Sequence, residues 1–166
     1  NINYRIDLGL LVNIAQTYPS YKLNIGGPIN TYNFSDEDHE NLRILNSLHN
    51  VIWLGELNYE VISKYIKEAR ICLATYKTDY FYNRYNSLKM MQYLSFAKPI
   101  VCSLFLAYQE HRDLIYMSQD NNDFIDLINT ALEDNAISKT MIEKRLAFSA
   151  EFSLKNTIKK IEEIIR

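Results

Sequence analysis

The sequence has no long apolar run, no excess of basic charge and only two cysteines. No stretch approaches about 18 consecutive apolar residues, so we expect no membrane-spanning helix. The formal net charge of −2 gives no global basic field, so we expect no nucleic-acid partner. Cys72 and Cys102 each lie in an apolar run, which predicts buried free thiols in a reducing compartment. The chain opens without a methionine or a secretory leader pattern, and we expect it to be a fragment of a longer protein.

Helical patterns alternate with short apolar strands along the chain. Residues 6–17, 35–48 and 58–69 carry apolar side chains at helical spacing, and later helical patterns begin near residues 86, 121, 138 and 153. The segments between them are almost continuously apolar, which is typical of strands covered by helices on both faces: 22–28, 51–55, 70–76, 99–103 and 113–118. The sequence predicts an α/β fold with a mainly parallel, doubly wound sheet, in a single domain spanning residues 1–166.

Ligands of such sheets bind beyond the carboxyl ends of the strands, which directs attention to four loops: 26–34, 55–58, 75–87 and 103–112. The Gly26-Gly27-Pro28 turn fits a close approach of a ligand to the backbone, and it fits a plain turn equally well. A polar, tyrosine-rich loop fits stacking on a base or a sugar, and it also fits packing on another domain; its tyrosines are Tyr76, Tyr80, Tyr82 and Tyr85.

The segment 86–103, NSLKMMQYLSFAKPIVCS, contains a short helical pattern with two polar residues in an apolar setting. Asn86 or Ser87 is suited to be the N-cap, and a helix start presents free backbone N–H groups to an anion. Lys89 falls in the first turn, where a cation costs about 0.3–1 kcal/mol unless an anion sits in front of it. Gln92 lies three residues on and shares its face. An ordinary core helix with two snorkelling side chains fits the same spacing.

One other pattern looks like a metal site and has a simpler local explanation. Asp36-Glu37-Asp38 is a D-x-D sequence, which holds a divalent cation when it follows a strand end. Ser35 precedes it and a helical pattern follows, so acids in a first helical turn explain it. The histidines show no zinc-site spacing, and His111 in the loop 103–112 fits either substrate contact or an exposed loop. We expect no metal site.

The segment 86–103 resembles the donor-binding motif of retaining glycosyltransferases of the two-domain GT-B fold. The match rests on Leu88, Lys89, Tyr93 and Leu94, followed by Lys98, Pro99 and the strand 100–103. KLNIGGP (22–28), NVIWLG (50–55) and the closing segment AEFSLKNTIKKIEEII resemble further pieces of the same family in the same order. Each piece is short, but together they cover nearly the whole chain.

The resemblance implies a Rossmann-like, nucleotide-sugar-binding domain, one half of a GT-B enzyme whose first strand and acceptor domain are missing from this chain. The enzyme would be a hexosyltransferase that moves a sugar from a nucleotide-diphosphate donor to a hydroxyl of a glycan or lipid-linked acceptor, and the isolated fragment would be inactive. Lys89 would be catalytic, neutralising the departing diphosphate. The implied donor-binding residues are Arg5, Gly26, Gly27, Gly55, Glu56, Leu57, Asn86, Ser87, Leu88, Lys89 and Gln92.

Within these roles, Arg5 and the amides near Ser87 and Leu88 would contact the diphosphate, Gln92 the ribose, and the 55–57 turn the base. The resemblance implies no cofactor: a UDP- or GDP-sugar is the substrate, and the acceptor binds through the missing domain. It also implies polysaccharide biosynthesis in the cytoplasm, with peripheral membrane association of the full enzyme. Retention of anomeric configuration is implied by the resemblance alone.

The chain departs from the family pattern at the donor site. Gln92 stands where a glutamate usually holds the ribose hydroxyls, Arg84 stands where another glutamate is usual, and Ala97 replaces a glycine. Asp79 or its loop is one replacement for the missing acid. A non-catalytic Rossmann-like binding or assembly domain therefore stays open as an alternative. A sugar-nucleotide epimerase is a third, although this half lacks the acids and histidines usual there.

Overall fold

The computed structural model describes residues 1–77, 87–118, 121–133, 138–152 and 156. Its helices are α1 (Leu8–Thr17), α2 (Asp36–Ser47), α3 (Tyr59–Glu68), α4 (Leu88–Ser95), α5 (Asn121–Glu133) and α6 (Lys139–Glu151), with a 3-10 helix at Leu106–His111. Its strands are β1 (Leu23–Gly26), β2 (Val51–Gly55), β3 (Cys72–Ala74), β4 (Ile100–Ser103) and β5 (Tyr116–Ser118). Within these described ranges, no helix has both the length and the apolar character needed to cross a bilayer.

The chain forms two compact units. The first contains residues 1–65 and 75–77, and the second contains 66–74 and the described residues from Ser87 onward. In the first unit β1 and β2 pair in parallel, and in the second β4 lies between β3 and β5, again in parallel. Helix α3 crosses the boundary between the units, after Tyr65.

The core of the first unit lies between α1, α2 and its two strands. Ile6, Leu8, Leu11 and Leu45 are among the buried side chains that form one apolar cluster. Asn50, which is also buried, directs its side-chain amide at three carbonyls at the end of α1: those of Ala15 at 2.9 Å, Tyr18 at 3.2 Å and Tyr21 at 3.2 Å. The amide thereby satisfies the Ala15 carbonyl in the last turn of α1, contacts two carbonyls of the residues that follow the helix, and joins α1 to the start of β2.

The core of the second unit is built around β4, whose four residues are all buried. Helices α4 and α5 pack on this strand, and α6 packs on α4. Met90 and Leu94, one helical turn apart on α4, have no exposed surface, and Phe124 and Ile128 form the corresponding buried pair of α5. Complete burial of β4 is the result expected of a central parallel strand covered on both faces.

The predicted alternation of helices and parallel strands is confirmed over the described residues. The helical patterns predicted to begin at residues 35 and 138 are observed as α2 and α6, with Ser35 and Ser138 as their N-caps. Strands β1 and β2 are less covered than their apolar sequences suggested, because Asn24 and Ile52 are exposed. The helix predicted to start at Ser153 lies outside the described residues, apart from Asn156, which is helical.

Candidate functional site

Helix α4 carries the two polar residues around which the sequence predicts a ligand site. Its apolar stripe, Met90 and Leu94, is buried in the second unit, and Gln92 points away from that stripe because it lies half a turn from both. Lys89 and Gln92 are partly buried and share a face at their three-residue spacing, whereas Leu88 is 85% exposed. The two polar residues are thus not the core stripe of α4, although part of each side chain is covered.

The start of α4 lies at the carboxyl edge of the sheet in the second unit. The helix lies in the crossover between β3 and its parallel neighbour β4, so its first turn is at the end where the strands finish. The amides of Leu88, Lys89 and Met90 precede the first intrahelical bond, which Met91 N–H donates to the Ser87 carbonyl at 3.1 Å. Lys89 therefore stands among donors that have no acceptor within the helix.

The N-cap of α4 is supported from another element. Among the described residues, Ser87 is in the N-cap position, and its side chain makes no capping hydrogen bond to the first turn. Its backbone N–H instead donates to the hydroxyl of Tyr108, at 3.2 Å, from the 3-10 helix that follows β4. Tyr108 has no exposed surface, and burial raises its pKa to about 12 although the Ser87 N–H opposes that change. The hydroxyl is therefore neutral at physiological pH.

Aromatic rings hold Tyr108 in place. Its ring meets Phe105 and Phe148 edge-on, at centroid distances of 6.2 and 6.4 Å. His111, at the end of the same 3-10 helix, packs on Phe148 with centroids 4.2 Å apart. His111 is therefore a partly buried residue packed on α6 and not a fully exposed loop residue, and its contact with substrate stays a prediction.

The end of α4 has an unusual backbone conformation at Ala97. Ala97 has a φ of +53°, the left-handed conformation that favours glycine. Its N–H donates to the Leu94 carbonyl at 2.8 Å, and the next N–H, of Lys98, donates to the Tyr93 carbonyl at 3.1 Å. These paired bonds form a Schellman ending.

A buried arginine contacts the same helix end. Arg145 of α6 has no exposed surface; its Nε donates to the Leu114 carbonyl at 3.1 Å and its Nη1 lies 3.5 Å from the Ala97 carbonyl. A fully buried guanidinium is unusual, because its charge must be met by oriented acceptors. Arg145 thus joins α6 to the end of α4 and to the turn before β5, a role that sequence reasoning missed.

The predicted glycine residues come together in the first unit. Gly26 and Gly55 are partners in the register of β1 and β2, and Gly27 N–H donates to the Gly55 carbonyl at 2.7 Å. Gly27 has a φ of +118°, and a Cβ there would lie 2.7 Å from the backbone nitrogen of Asn1. The group that approaches Gly27 closely is thus the backbone of Asn1, which belongs to this chain.

The other predicted residues of the first unit have local partners. Leu57 packs 3.6 Å from where a Cβ of Gly26 would lie, and Glu56 beside it is exposed. The Arg5 guanidinium lies over the ring of Tyr4, at 5.5 Å, and its Nε donates to the Tyr4 hydroxyl at 3.4 Å. The prediction that these residues contact a nucleotide sugar stays a prediction.

The acidic run 36–38 is a helix start, as predicted. Ser35 and Asp38 form a capping box: the Ser35 hydroxyl accepts from Asp38 N–H at 3.1 Å, and the Asp38 carboxylate accepts from Ser35 N–H at 3.0 Å. The same carboxylate binds the ammonium of Lys77 at 2.7 and 2.9 Å. Burial disfavours the charged form, but the hydrogen bonds from Lys77 and Ser35 hold the pKa of Asp38 below its ordinary value.

Both cysteines are buried, as predicted, and neither is in a disulfide. Burial raises the pKa of Cys72 to about 12 and raises that of Cys102 further. Thiols with such pKa values are protonated at neutral pH and unreactive while they stay buried.

The predicted site residues therefore form one group in each unit. Ser87, Leu88, Lys89 and Gln92 lie on α4 in the second unit, and Gly26, Gly27, Gly55 and Leu57 surround the ends of β1 and β2 in the first. The remaining residues in question, Asn86, Asp79, Arg84, Tyr80, Tyr82 and Tyr85, lie outside the described residues.

Comparison of folds identifies glycosyltransferases as structural neighbours. The chain superposes on a sucrose-phosphate synthase from Thermosynechococcus elongatus with a TM-score of 0.72 and 18% identity, covering 99% of this chain and 44% of that one. It superposes on WaaG, a glycosyltransferase involved in lipopolysaccharide biosynthesis, with a TM-score of 0.61 and 12% identity, covering 98% and 44%. For a UDP-forming α,α-trehalose-phosphate synthase from Burkholderia xenovorans the TM-score is 0.60 and the identity 9%, covering 89% and 39%.

These comparisons define the class of fold. The neighbours are GT-B glycosyltransferases, and the chain has the α/β fold of one half of that architecture, consistent with its C-terminal domain. The chain spans less than half the length of each of these proteins. No family model matches the sequence, and a sequence search of curated proteins finds no match. The predicted fold class is confirmed by structure alone.

Proposed function

We propose that the chain is the donor-binding half of a glycosyltransferase that transfers a sugar from a nucleotide-diphosphate donor to a hydroxyl of a glycan or lipid-linked acceptor. The observation that carries the proposal is Lys89 in the first turn of α4, at the carboxyl edge of the sheet, in a fold whose neighbours are glycosyltransferases. A cation at a helix start opposes the helix dipole, and a bound diphosphate removes that conflict.

In the proposed reaction Lys89 is the catalytic residue, because charge develops on the diphosphate as the bond from the sugar breaks. Its ammonium and the first-turn amides of α4 stabilise the leaving oxygens electrostatically. Gln92, on the same face of the helix, donates to and accepts from the ribose hydroxyls. In the first unit, Arg5 and the residues around the Gly26-Gly27 turn and the 55–57 turn are proposed donor contacts by family resemblance. The acceptor and its domain lie outside this chain in the proposal.

Titration calorimetry of the full-length protein with UDP and with GDP tests this proposal. We expect one of them to bind, and Lys89→Ala to weaken that binding about 10- to 100-fold, since a hydrogen bond to a charged group is lost. Lys139→Ala is the matched control, because its side chain is 92% exposed on α6. Absence of any nucleotide binding, or equal affinity of wild type and Lys89→Ala, contradicts the proposal.

A non-catalytic binding module is the second candidate, and Gln92 is the observation that favours it. A glutamine lacks the charge that the glutamate usual in the family supplies, so a donor site that binds without transfer is consistent with it. A sugar-transfer assay on the full-length protein with UDP- and GDP-hexoses separates the two. Transfer with any donor supports the enzyme; nucleotide binding without transfer to any acceptor tested supports the binding module.

A further inference from the structure

We infer that Tyr108 is a positioning residue for the diphosphate: its buried hydroxyl fixes the N-cap amide of α4 and so sets where the first turn of that helix points. The inference rests on the proposed function. Tyr108 touches no ligand in this assignment, because its ring is fully enclosed by protein. It acts through Ser87, the residue immediately before the helix.

The hydroxyl of Tyr108 supplies an acceptor for the Ser87 N–H that no side chain of α4 provides. In α2 the N-cap amide, that of Ser35, donates to the carboxylate of Asp38, three residues on in the same helix. In α4 the corresponding third residue is Met90, whose side chain has no oxygen, and the N-cap amide donates instead to the Tyr108 hydroxyl, 21 residues along the chain. This accounts for the N-cap amide, which lies directly before the first turn of α4.

The position of the hydroxyl is set by packing. Edge-on contacts with Phe105 and Phe148 hold the ring, and Phe148 belongs to α6, which packs along α4. The position of the hydroxyl at the start of α4 therefore depends on the position of α6. Loss of the hydroxyl would leave the Ser87 N–H without this acceptor and would let the first turn, with Lys89, shift or fray.

Tyr108→Phe tests the inference because it removes one oxygen and keeps the ring. In the full-length protein we expect the affinity for UDP or GDP, whichever binds, to fall about three- to tenfold, the effect of one hydrogen bond. The affinity for uridine or guanosine should stay unchanged, since neither has a phosphate for the first turn of α4 to contact. If Tyr108 had a purely structural role, Tyr108→Phe would weaken the binding of nucleoside and nucleotide equally, or would weaken the binding of neither. In amide exchange, the Ser87 N–H should exchange faster in the variant.

Tyr93→Phe is the matched control, since it removes a hydroxyl near the other end of α4, 3.5 Å from the Leu73 carbonyl. It should leave the affinity for the diphosphate nucleotide at the wild-type value. Suppose that wild type binds UDP or GDP, that Lys89→Ala weakens this binding, and that Tyr108→Phe leaves it unchanged. The inference is then wrong and the proposed function stands. If Tyr108→Phe weakens nucleoside binding as strongly, the inference is wrong as well. If wild type binds no nucleotide, both fall.

Discussion

At the scale of single residues, the buried carboxylate of Asp38 has a structural role. Asp38 belongs to an acidic run that looks like a metal motif, yet its carboxylate is shared between the amide and hydroxyl of Ser35 and the ammonium of Lys77. Only 5% of its side chain is exposed, and 27% of that of Lys77. A carboxylate held by three donors contributes to stability in its charged form.

Asp38 should make the first unit sensitive to acid. Its pKa is lower in the folded protein than the ordinary value of 3.8, so its contribution is complete above that value and is lost as pH falls through the folded-state pKa. We expect Asp38→Asn to lower the free energy of unfolding by about 1–3 kcal/mol at pH 7 and the difference from wild type to shrink as pH falls below 3.8. Urea unfolding followed by Trp53 fluorescence at several pH values measures this.

Asp36→Asn is the control for this experiment, because Asp36 is exposed in the first turn of the same helix. It loses only a favourable interaction with the helix dipole, and we expect a change within about 1 kcal/mol. An Asp38→Asn variant as stable as wild type at pH 7 would show that the ion pair contributes nothing net.

At the scale of elements, α4 is defined by how it begins and ends. It is only eight residues long, too short to be stable by itself, so its geometry depends on its contacts. Tyr108 supports its start, and the Schellman bonds and Arg145 meet its end. The Ala97 that completes the ending adopts a backbone conformation in which an L-residue is strained by about 1–2 kcal/mol.

Ala97→Gly should therefore stabilise the protein. Removing the strain outweighs the added flexibility of glycine in the unfolded chain, and we expect a net gain of about 0.5–1 kcal/mol in the free energy of unfolding. Ala131→Gly in α5 is the control: it is buried in a helix with ordinary backbone angles and should lose about 1 kcal/mol. Denaturant unfolding of the three proteins measures both. A destabilised Ala97→Gly variant would mean that the lost methyl contact matters more than the strain.

The sequence predicted the elements well because their signals are local. Ser35 and Ser138 are caps placed directly before apolar patterns, and the burial of β4 follows from four consecutive residues of suitable type. The contacts that fix α4 are not local. Tyr108 is 21 residues from Ser87, and Arg145 is 48 residues from Ala97. No periodicity or spacing carries that information.

The same limit applies to the site. Lys89 and Gln92 were predicted to share a face because helix geometry alone guarantees it. That Gly27 makes room for the backbone of Asn1 was not predictable, since it requires two segments far apart in sequence to meet. The ion pair of Asp38 with Lys77, 39 residues away, was missed for the same reason.

At the scale of the whole molecule, the chain passes between its two units more than once. It leaves the first unit within α3, returns to it at Thr75 directly after β3, and reaches the second again before α4. In the returning segment, Thr75 accepts from Asp7 N–H at 3.1 Å, and Lys77 N–H donates to the Arg5 carbonyl at 2.9 Å. These bonds join the returning segment to residues near the start of the first unit, and the single domain stays a prediction.

The two units carry separate natural reporters of unfolding. The only tryptophan, Trp53, packs against the core of the first unit, and both cysteines are buried in the second. We expect Trp53 fluorescence and the reaction of the thiols with a thiol reagent to change over the same urea range, as in a single cooperative domain. A Trp53→Phe variant and a Cys72→Ala/Cys102→Ala variant confirm which residue gives each signal. Two separated transitions would divide the chain into independent domains.

The double fixation of α4 restricts how this segment can vary in length. One residue inserted between Lys89 and Ala97 would turn the start of the helix by about 100° relative to its end. Because Arg145 and the Schellman bonds hold the end of the helix, this rotation would turn Lys89 away from its present direction. It would also separate Ser87 N–H from the Tyr108 hydroxyl. Insertions and deletions in relatives of this chain should therefore avoid residues 87–97 even where the residue types there change.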